Sequence, residues 1–173
     1  MNVLQLFKPI NTFVFDVDGV LTDGMLFVMD SGEQVRRMNI KDGYALQLAV
    51  KKGYRVIVIS GGDSEAVKLR LQKLGIGDVF MKVESKIILM EQLVADHQLD
   101  WERILFMGDD IPDLALMRKV GLPCVPADAA TEPRSIAKYI SNCSGGQGCA
   151  RDVIEKVLKL NDHWHADDSI VSR

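Results

Sequence analysis

Four short apolar runs recur along the chain with helical stretches between them, and this alternation constrains the fold more than any other feature. They are "TFVFDV" at 12–17, "YRVIVIS" at 54–60, "RILFMGD" at 103–109 and the weaker "LPCVPA" at 122–127. Repeated strand–helix–strand units predict an α/β architecture with a parallel sheet and helices on both of its faces. The intervening stretches carry apolar residues at helical spacing. "KDGYALQLAVKKG" places Tyr44, Leu46, Leu48 and Ala49 over three turns, with Gly53 as a stop, and "DSEAVKLRLQKLG" begins with Asp63 or Ser64 as cap and ends at Gly75. "VESKIILMEQLVADHQL" gives a third helix, "IPDLALMRKVG" a fourth with Pro112 in its first turn, and "ARDVIEKVLKL" a last one. With 173 residues the chain is expected to form one domain over 1–160, followed by a polar tail at 161–173.

Residues 25–38, "MLFVMDSGEQVRRM", read differently. Two strand-like runs flank Asp30-Ser31-Gly32, which predicts a β-hairpin projecting after the first strand. An isolated hairpin is marginal, so Met25, Phe27 and Val28 are expected to be buried against another subunit. In the tail, His163, Trp164 and His165 are read as a frayed end rather than a metal site.

Charge and cysteine content narrow the function classes. Twenty-four acidic against 21 basic residues give a formal net charge of -3, which argues against nucleic acid as a partner. The pairs Arg36-Arg37 and Lys51-Lys52 are too short for a phosphate-tracking stripe and read as solvated faces. Cys124, Cys143 and Cys149 are odd in number and lack a CxxC pair, so neither a disulfide framework nor a zinc site is expected. The start resembles no export signal, and no apolar run reaches the roughly 20 residues that span a bilayer. A reducing cytoplasm is the expected location.

The first strand ends unusually. "FVFDVDGVLTDG" places Asp16 and Asp18 two residues apart at the carboxyl edge of the sheet, where open α/β sheets bind ligands. Two carboxylates so close raise each other's pKa unless a cation joins them, and a hard divalent ion such as magnesium removes the penalty. A calcium loop counted from Asp16 fails, because Leu21 stands where glycine is needed and Phe27 where a bidentate Glu is needed. A second cluster, Asp109, Asp110 and Asp113 in "FMGDDIPD", ends another strand, although Asp113 by itself also suits a helix first turn. Ser60, Gly61 and Gly62 in "SGGDS" offer a hydroxyl and amides ahead of a helix, which is either an anion site or an ordinary turn. Lys86 starts the third helix, where a cation opposes the macrodipole; it is either surface decoration or the charge that offsets aspartate and phosphoryl groups.

In the order DVDGVLTDG, SGG, Lys86 and GDDIPD, the chain resembles the haloacid dehalogenase superfamily of aspartate-nucleophile phosphatases over nearly its whole length. The absent cap domain, the hairpin and the glycine-rich "GGQGCARD" make it similar to the capless 3-deoxy-D-manno-octulosonate 8-phosphate phosphatases and their sialic-acid-type relatives. The resemblance implies a Rossmann-like fold and a magnesium-dependent hydrolysis of a sugar-acid phosphate. It implies that Asp16 attacks phosphorus, that Asp18 moves protons, and that Ser60, Gly61, Gly62 and Lys86 bind the phosphoryl group. Magnesium would be held by Asp16, Asp109 and the main-chain carbonyl of Asp18, with Asp110 and Asp113 behind them. It further implies a homotetramer in which hairpins meet and a neighbour's glycine-rich segment closes the entrance. Gly145, Gly146, Gly148 and Arg151 match that segment, while Cys149 and Asp152 depart from its usual Ala and Glu. Arg151 would meet a substrate carboxylate or else form a surface salt bridge. Gly62 stands where octulosonate enzymes usually carry Arg and nine-carbon sugar-acid enzymes Glu, so both substrate classes stay open.

Two other classes share parts of this pattern. A phospho-acceptor receiver domain combines acids, a hydroxyl and a lysine, but its phosphorylated Asp belongs on a later strand. An inactive tetramerisation module would not need every motif residue, and all are present.

Overall fold

The computed structural model describes residues 3–167, 169 and 170. Its strands are β1 (Thr12–Phe15), the short β2 (Phe27–Val28) and β3 (Gln34–Val35), β4 (Arg55–Ile59), β5 (Asp78–Phe80), β6 (Ile104–Met107), β7 (Leu122–Val125) and β8 (Tyr139–Ile140). The helices are α1 (Ile40–Lys51), α2 (Glu65–Lys73), α3 (Lys86–His97), α4 (Leu114–Met117), α5 (Thr131–Ile136) and α6 (Cys149–Leu160). Six strands form a parallel sheet in the order β5-β4-β1-β6-β7-β8. The expected runs become β1, β4, β6 and β7, while β5, β8 and α5 were not anticipated from the sequence.

All four residues of β1 are buried, as a strand covered on both faces requires. Strand alternation divides the core in two. Phe13 and Phe15, with Val56, Val58 and Met107, pack toward Leu46 and Ala49 of α1, Leu71 of α2 and Ile154 of α6. Val14, with Ile57, Ile59 and Phe106, packs toward Met90 and Leu93 of α3 and Leu116 and Met117 of α4. The chain leaves β1 first toward β4 and later crosses to β6, so the sheet order reverses at β1. That reversal opens a crevice at the carboxyl ends of β4, β1 and β6.

The helices start as local chemistry dictates. Asn39 accepts from Lys41 N at 2.8 Å to cap α1, and Ser64, not Asp63, accepts from Val67 N at 3.3 Å to cap α2. α6 follows Gly148 without a side-chain cap of its own, and Asp42 of α1 accepts from its Arg151 N at 2.7 Å instead. β2 and β3 pair antiparallel, with Phe27 opposite Val35, forming the expected hairpin. Its apolar residues are exposed in the single chain, Phe27 by 67% and Val28 by 72%.

Residues 161–167 after α6 are docked rather than frayed, contrary to the sequence reading of the tail, of which residues 168 and 171–173 lie outside the described residues. The Tyr54 hydroxyl and His163 Nδ1 are 2.9 Å apart, and Trp164 meets the Tyr44 ring edge-on at 6.2 Å between centroids. The Arg151 guanidinium lies 5.2 Å from the Trp164 ring centroid. Aromatic contact area outweighs the ordering cost that polarity alone suggested. All three cysteines are free, and among the described residues no helix is long and apolar enough to cross a membrane.

Candidate active site

The crevice is a cleft of about 470 Å³, lined by Asp16, Asp18, Ser60, Gly61, Gly62, Lys86, Asp109, Asp110 and Asp113 among others. The four ordered motifs therefore converge, each from the end of a strand or the start of a helix. Asp16 follows β1 directly, and its Oδ1 accepts from Val17 N at 2.7 Å while Lys86 Nζ stands 2.8 Å away. Both contacts fall on Oδ1, and neither ties Oδ2. Beyond it the chain turns sharply: Asp18 is extended, Gly19 is left-handed at φ +85°, and Thr22 N closes the turn on Val17 O at 3.0 Å. Gly19 is required there twice over, since a Cβ would also fall 2.0 Å from Asp109 Oδ2.

Lys86 lies at the start of α3 with only 7% of its side chain exposed, 2.6 Å from Asp113 Oδ1 as well as 2.8 Å from Asp16. Burial opposes its charge, but Asp16 and then Asp113 outweigh burial and raise its pKa. Asp113 is occupied on its other side too: Oδ2 accepts from Asp109 N at 2.9 Å and Asp110 N at 3.3 Å. Asp110 is exposed and accepts from Ile111 N at 2.8 Å, completing a reciprocal cap with Asp113.

One carboxylate oxygen from each of Asp16, Asp109 and Asp113 lies within 4.8 Å of the others. Burial, more than any neighbour, pushes Asp16 up to about 6 despite Lys86. Burial, followed by the charges of Asp16, Asp113 and Asp110, pushes Asp109 up to about 7. A single lysine does not balance this group. Crowded hard oxygen donors short of positive charge are the donor set a small divalent cation takes. Because Asp113 is already engaged by Lys86 and two amides, Asp16 and Asp109 are the carboxylates left to meet such an ion.

On the opposite wall, Ser60 is buried and its hydroxyl accepts from Gly62 N at 3.1 Å. The loop is pinned to its neighbour strand, with Ser60 N donating to Phe80 O at 2.9 Å and Val83 N to Ser60 O at 3.0 Å. Missed by the sequence reading, Arg36 from the hairpin reaches Asp18, with Nε 2.7 Å from Oδ1. Its Arg36-Arg37 dipeptide looked like a solvated face, and only Arg37 is one. Arg151, for which either a substrate carboxylate or a surface salt bridge was open, does not line the cleft of its own chain and forms a salt bridge. It pairs with Glu155, one turn on along α6, at 3.2 Å and lies over the Trp164 ring. Within the chain the glycine-rich segment props the turn after β1: Gly146 N donates to Val20 O at 2.9 Å and Gly145 N to Asp128 Oδ1 at 2.9 Å.

No protein-family model matches the chain. It is 31% identical to the 3-deoxy-D-manno-octulosonate 8-phosphate phosphatase KdsC of Salmonella typhi over 91% of this chain and 84% of that protein. The crystal structure of the phosphatase of that name from Yersinia pestis superposes with a TM-score of 0.90 at 30% identity, covering 93% of this chain and 87% of that one. The Moraxella catarrhalis phosphatase, solved with magnesium ion, phosphate ion and KDO, superposes with a TM-score of 0.89 at 29% identity over 93% of each chain.

Proposed function

The chain belongs to the haloacid dehalogenase superfamily, among the capless phosphatases related to 3-deoxy-D-manno-octulosonate 8-phosphate phosphatase, and on that premise we propose that it hydrolyses a sugar-acid phosphate through a phosphoryl group carried on Asp16. The observation that carries this reading is the placement of Asp16. Its carboxylate ends the central strand, with Lys86 on Oδ1 and a cleft walled by Ser60 and Gly61.

In this reading Asp16 attacks phosphorus in line with the sugar oxygen. As the P–O bond to the sugar breaks, Asp18 gives its proton to the departing oxygen. Asp18 then takes a proton from water, which attacks the aspartyl-phosphate, releasing inorganic phosphate and restoring Asp16. Dividing the hydrolysis in two replaces one difficult displacement with two easier ones. Ser60, the Gly61 and Gly62 amides and Lys86 hold the phosphoryl oxygens, and phosphoryl transfer depends chiefly on such positioning and charge stabilisation. Asp16, Asp109 and the Asp18 carbonyl would hold magnesium, with Asp113 and Asp110 fixing the loop behind them. When bound, magnesium neutralises charge on the aspartates and on the transferring group.

The substrate class is a 3-deoxy-octulosonate 8-phosphate, as the relatives' names suggest, with a nine-carbon sugar-acid phosphate as the competitor that Gly62 leaves open. The exposed run Met25–Met29 supports a homotetramer in which hairpins cover one another, since apolar surface of this kind seeks a partner. Light scattering on wild type and on a Phe27→Ser, Val28→Ser variant tests the assembly, and a monomeric wild type removes it. The activity is tested by magnesium-dependent phosphate release from a panel of eight- and nine-carbon sugar-acid phosphates. One ester is expected to dominate in kcat/KM, and Asp16→Asn is expected to lose turnover by at least about 10³-fold while staying folded. Retained turnover in that variant rejects the nucleophile.

A further inference from the structure

Arg36 enters the site from outside the motifs that build it. It follows β3 on the hairpin, yet only 4% of its side chain is exposed, against 70% for the adjacent Arg37. Its Nε donates to Asp18 Oδ1 at 2.7 Å and its Nη2 to Asp18 Oδ2 at 3.2 Å. Nη1 is turned back toward Asp63 O at 3.4 Å. A guanidinium that grips both oxygens fixes the plane and rotamer of a carboxylate, which a single contact does not.

Gly62 is the third member of this arrangement. A Cβ at that position would lie 2.9 Å from Asp18 Oδ2, 3.0 Å from Arg36 Nη2 and 3.4 Å from Ser60 Oγ. The space through which Arg36 reaches Asp18 is therefore the space a side chain at 62 would occupy. Burying a guanidinium for stability alone gains little, because its desolvation cost consumes much of the attraction. The partner it has been buried against is the carboxylate assigned to move protons.

We propose that Arg36 is the positioning residue for Asp18, holding that carboxylate over the leaving oxygen through a passage that the glycine at 62 keeps open. Placement of the hairpin thereby becomes a condition for proton transfer, in addition to any contact the hairpin makes with other subunits. The inference rests on the reading of Asp18 as proton donor, so the test must separate the two.

Leaving-group dependence does so. Phenolate is a poor leaving group that needs a proton, whereas p-nitrophenolate departs readily without one, so general-acid catalysis matters far more for phenyl phosphate. We would measure kcat and KM for both esters with magnesium in wild type, Arg36→Met, Arg36→Lys, Gly62→Ala and Asp18→Asn. Arg36→Met is expected to lose about 10-fold more kcat on phenyl phosphate than on p-nitrophenyl phosphate, with KM within about twofold. Arg36→Lys should recover part of the difference, and Gly62→Ala should reproduce it with Arg36 intact, which also carries the test if Arg36→Met does not fold. Equal losses on both esters, or a rise confined to KM, overturn the positioning role of Arg36. Equal losses in Asp18→Asn reject the proton-donor reading itself, whatever Arg36 does.

Discussion

Lys86 Nζ lies 2.6 Å from Asp113 Oδ1, and this buried pair sets the position of an ammonium that also touches Asp16, at 2.8 Å. Asp113 is held in turn by the amides of Asp109 and Asp110, so the lysine and the acidic loop after β6 are fixed by the same residue. Removing the lysine leaves two buried carboxylates facing each other. Lys86→Met is expected to destabilise the metal-free protein by about 3 kcal/mol in urea unfolding, the range for a broken buried pair. Its kcat should fall by about 100-fold or more, since the proposed mechanism then loses a charge aimed at the transferring group. An active Lys86→Met enzyme would remove Lys86 from the phosphoryl site.

Asp109 is the clearest probe of the cation. It is pushed up to about 7 by burial and by the neighbouring carboxylates, and Asp113 is too heavily bonded to substitute for it. Magnesium should stabilise wild type by RT ln(1 + [Mg]/Kd), about 2.7 kcal/mol at 100 times Kd. Asp109→Asn should be at least as stable as wild type in chelator, because a crowded charge is gone, and should gain nothing from magnesium. Thermal unfolding with and without magnesium decides this, and a magnesium-dependent rise in the variant would place the ion elsewhere.

The central strands were legible because their residues are apolar on both faces: the runs ending at Phe15, Ile59, Met107 and Val125 need no tertiary information to be read as buried strands. Asp78–Phe80 and Tyr139–Ile140 are three- and two-residue outer strands of mixed burial, and so short a run carries no period. Asp16, Asp18 and Asp109 stood out because acids after apolar strands are costly without a reason. Arg36 did not, because its burial depends on a hairpin folding back over a loop 18 residues earlier. Trp164 was hidden similarly, its partners Tyr44 and Arg151 being set by helix packing.

The prop beneath the turn after β1 makes a mechanical prediction. A Cβ on Gly145 would lie 2.0 Å from Gly19 O and 2.9 Å from Thr22 O, both backbone atoms that cannot swing aside. Gly145→Ala therefore has to displace the turn carrying Asp18 or its own segment. A cost of about 1–3 kcal/mol is expected from overpacking, with kcat reduced more than KM is raised. Wild-type stability and turnover in Gly145→Ala would show that the two segments are not pressed together.

Asp42 supplies a pH dependence away from the cleft. Its side chain is buried, with 2% of the residue exposed; one oxygen accepts from Arg151 N at 2.7 Å, and Oδ2 has no hydrogen-bond partner among the described residues. Burial pushes its pKa up to about 6, and the Arg151 and Gly148 amides and the Arg151 charge only partly offset this. The native state thus holds this proton to higher pH than the unfolded chain, whose Asp titrates near the ordinary 3.8. Between those values the native protein binds more protons, so stability from this group is full below the unfolded value and falls as pH rises through about 6. At 1.36 kcal/mol per pKa unit the loss is about 3 kcal/mol. Asn has no such proton to release. Relative to wild type, Asp42→Asn should therefore gain up to about 3 kcal/mol between pH 4 and pH 7.5 in urea titrations. A difference between the two proteins that does not change with pH would mean that Asp42 is ionised throughout, held by the start of α6.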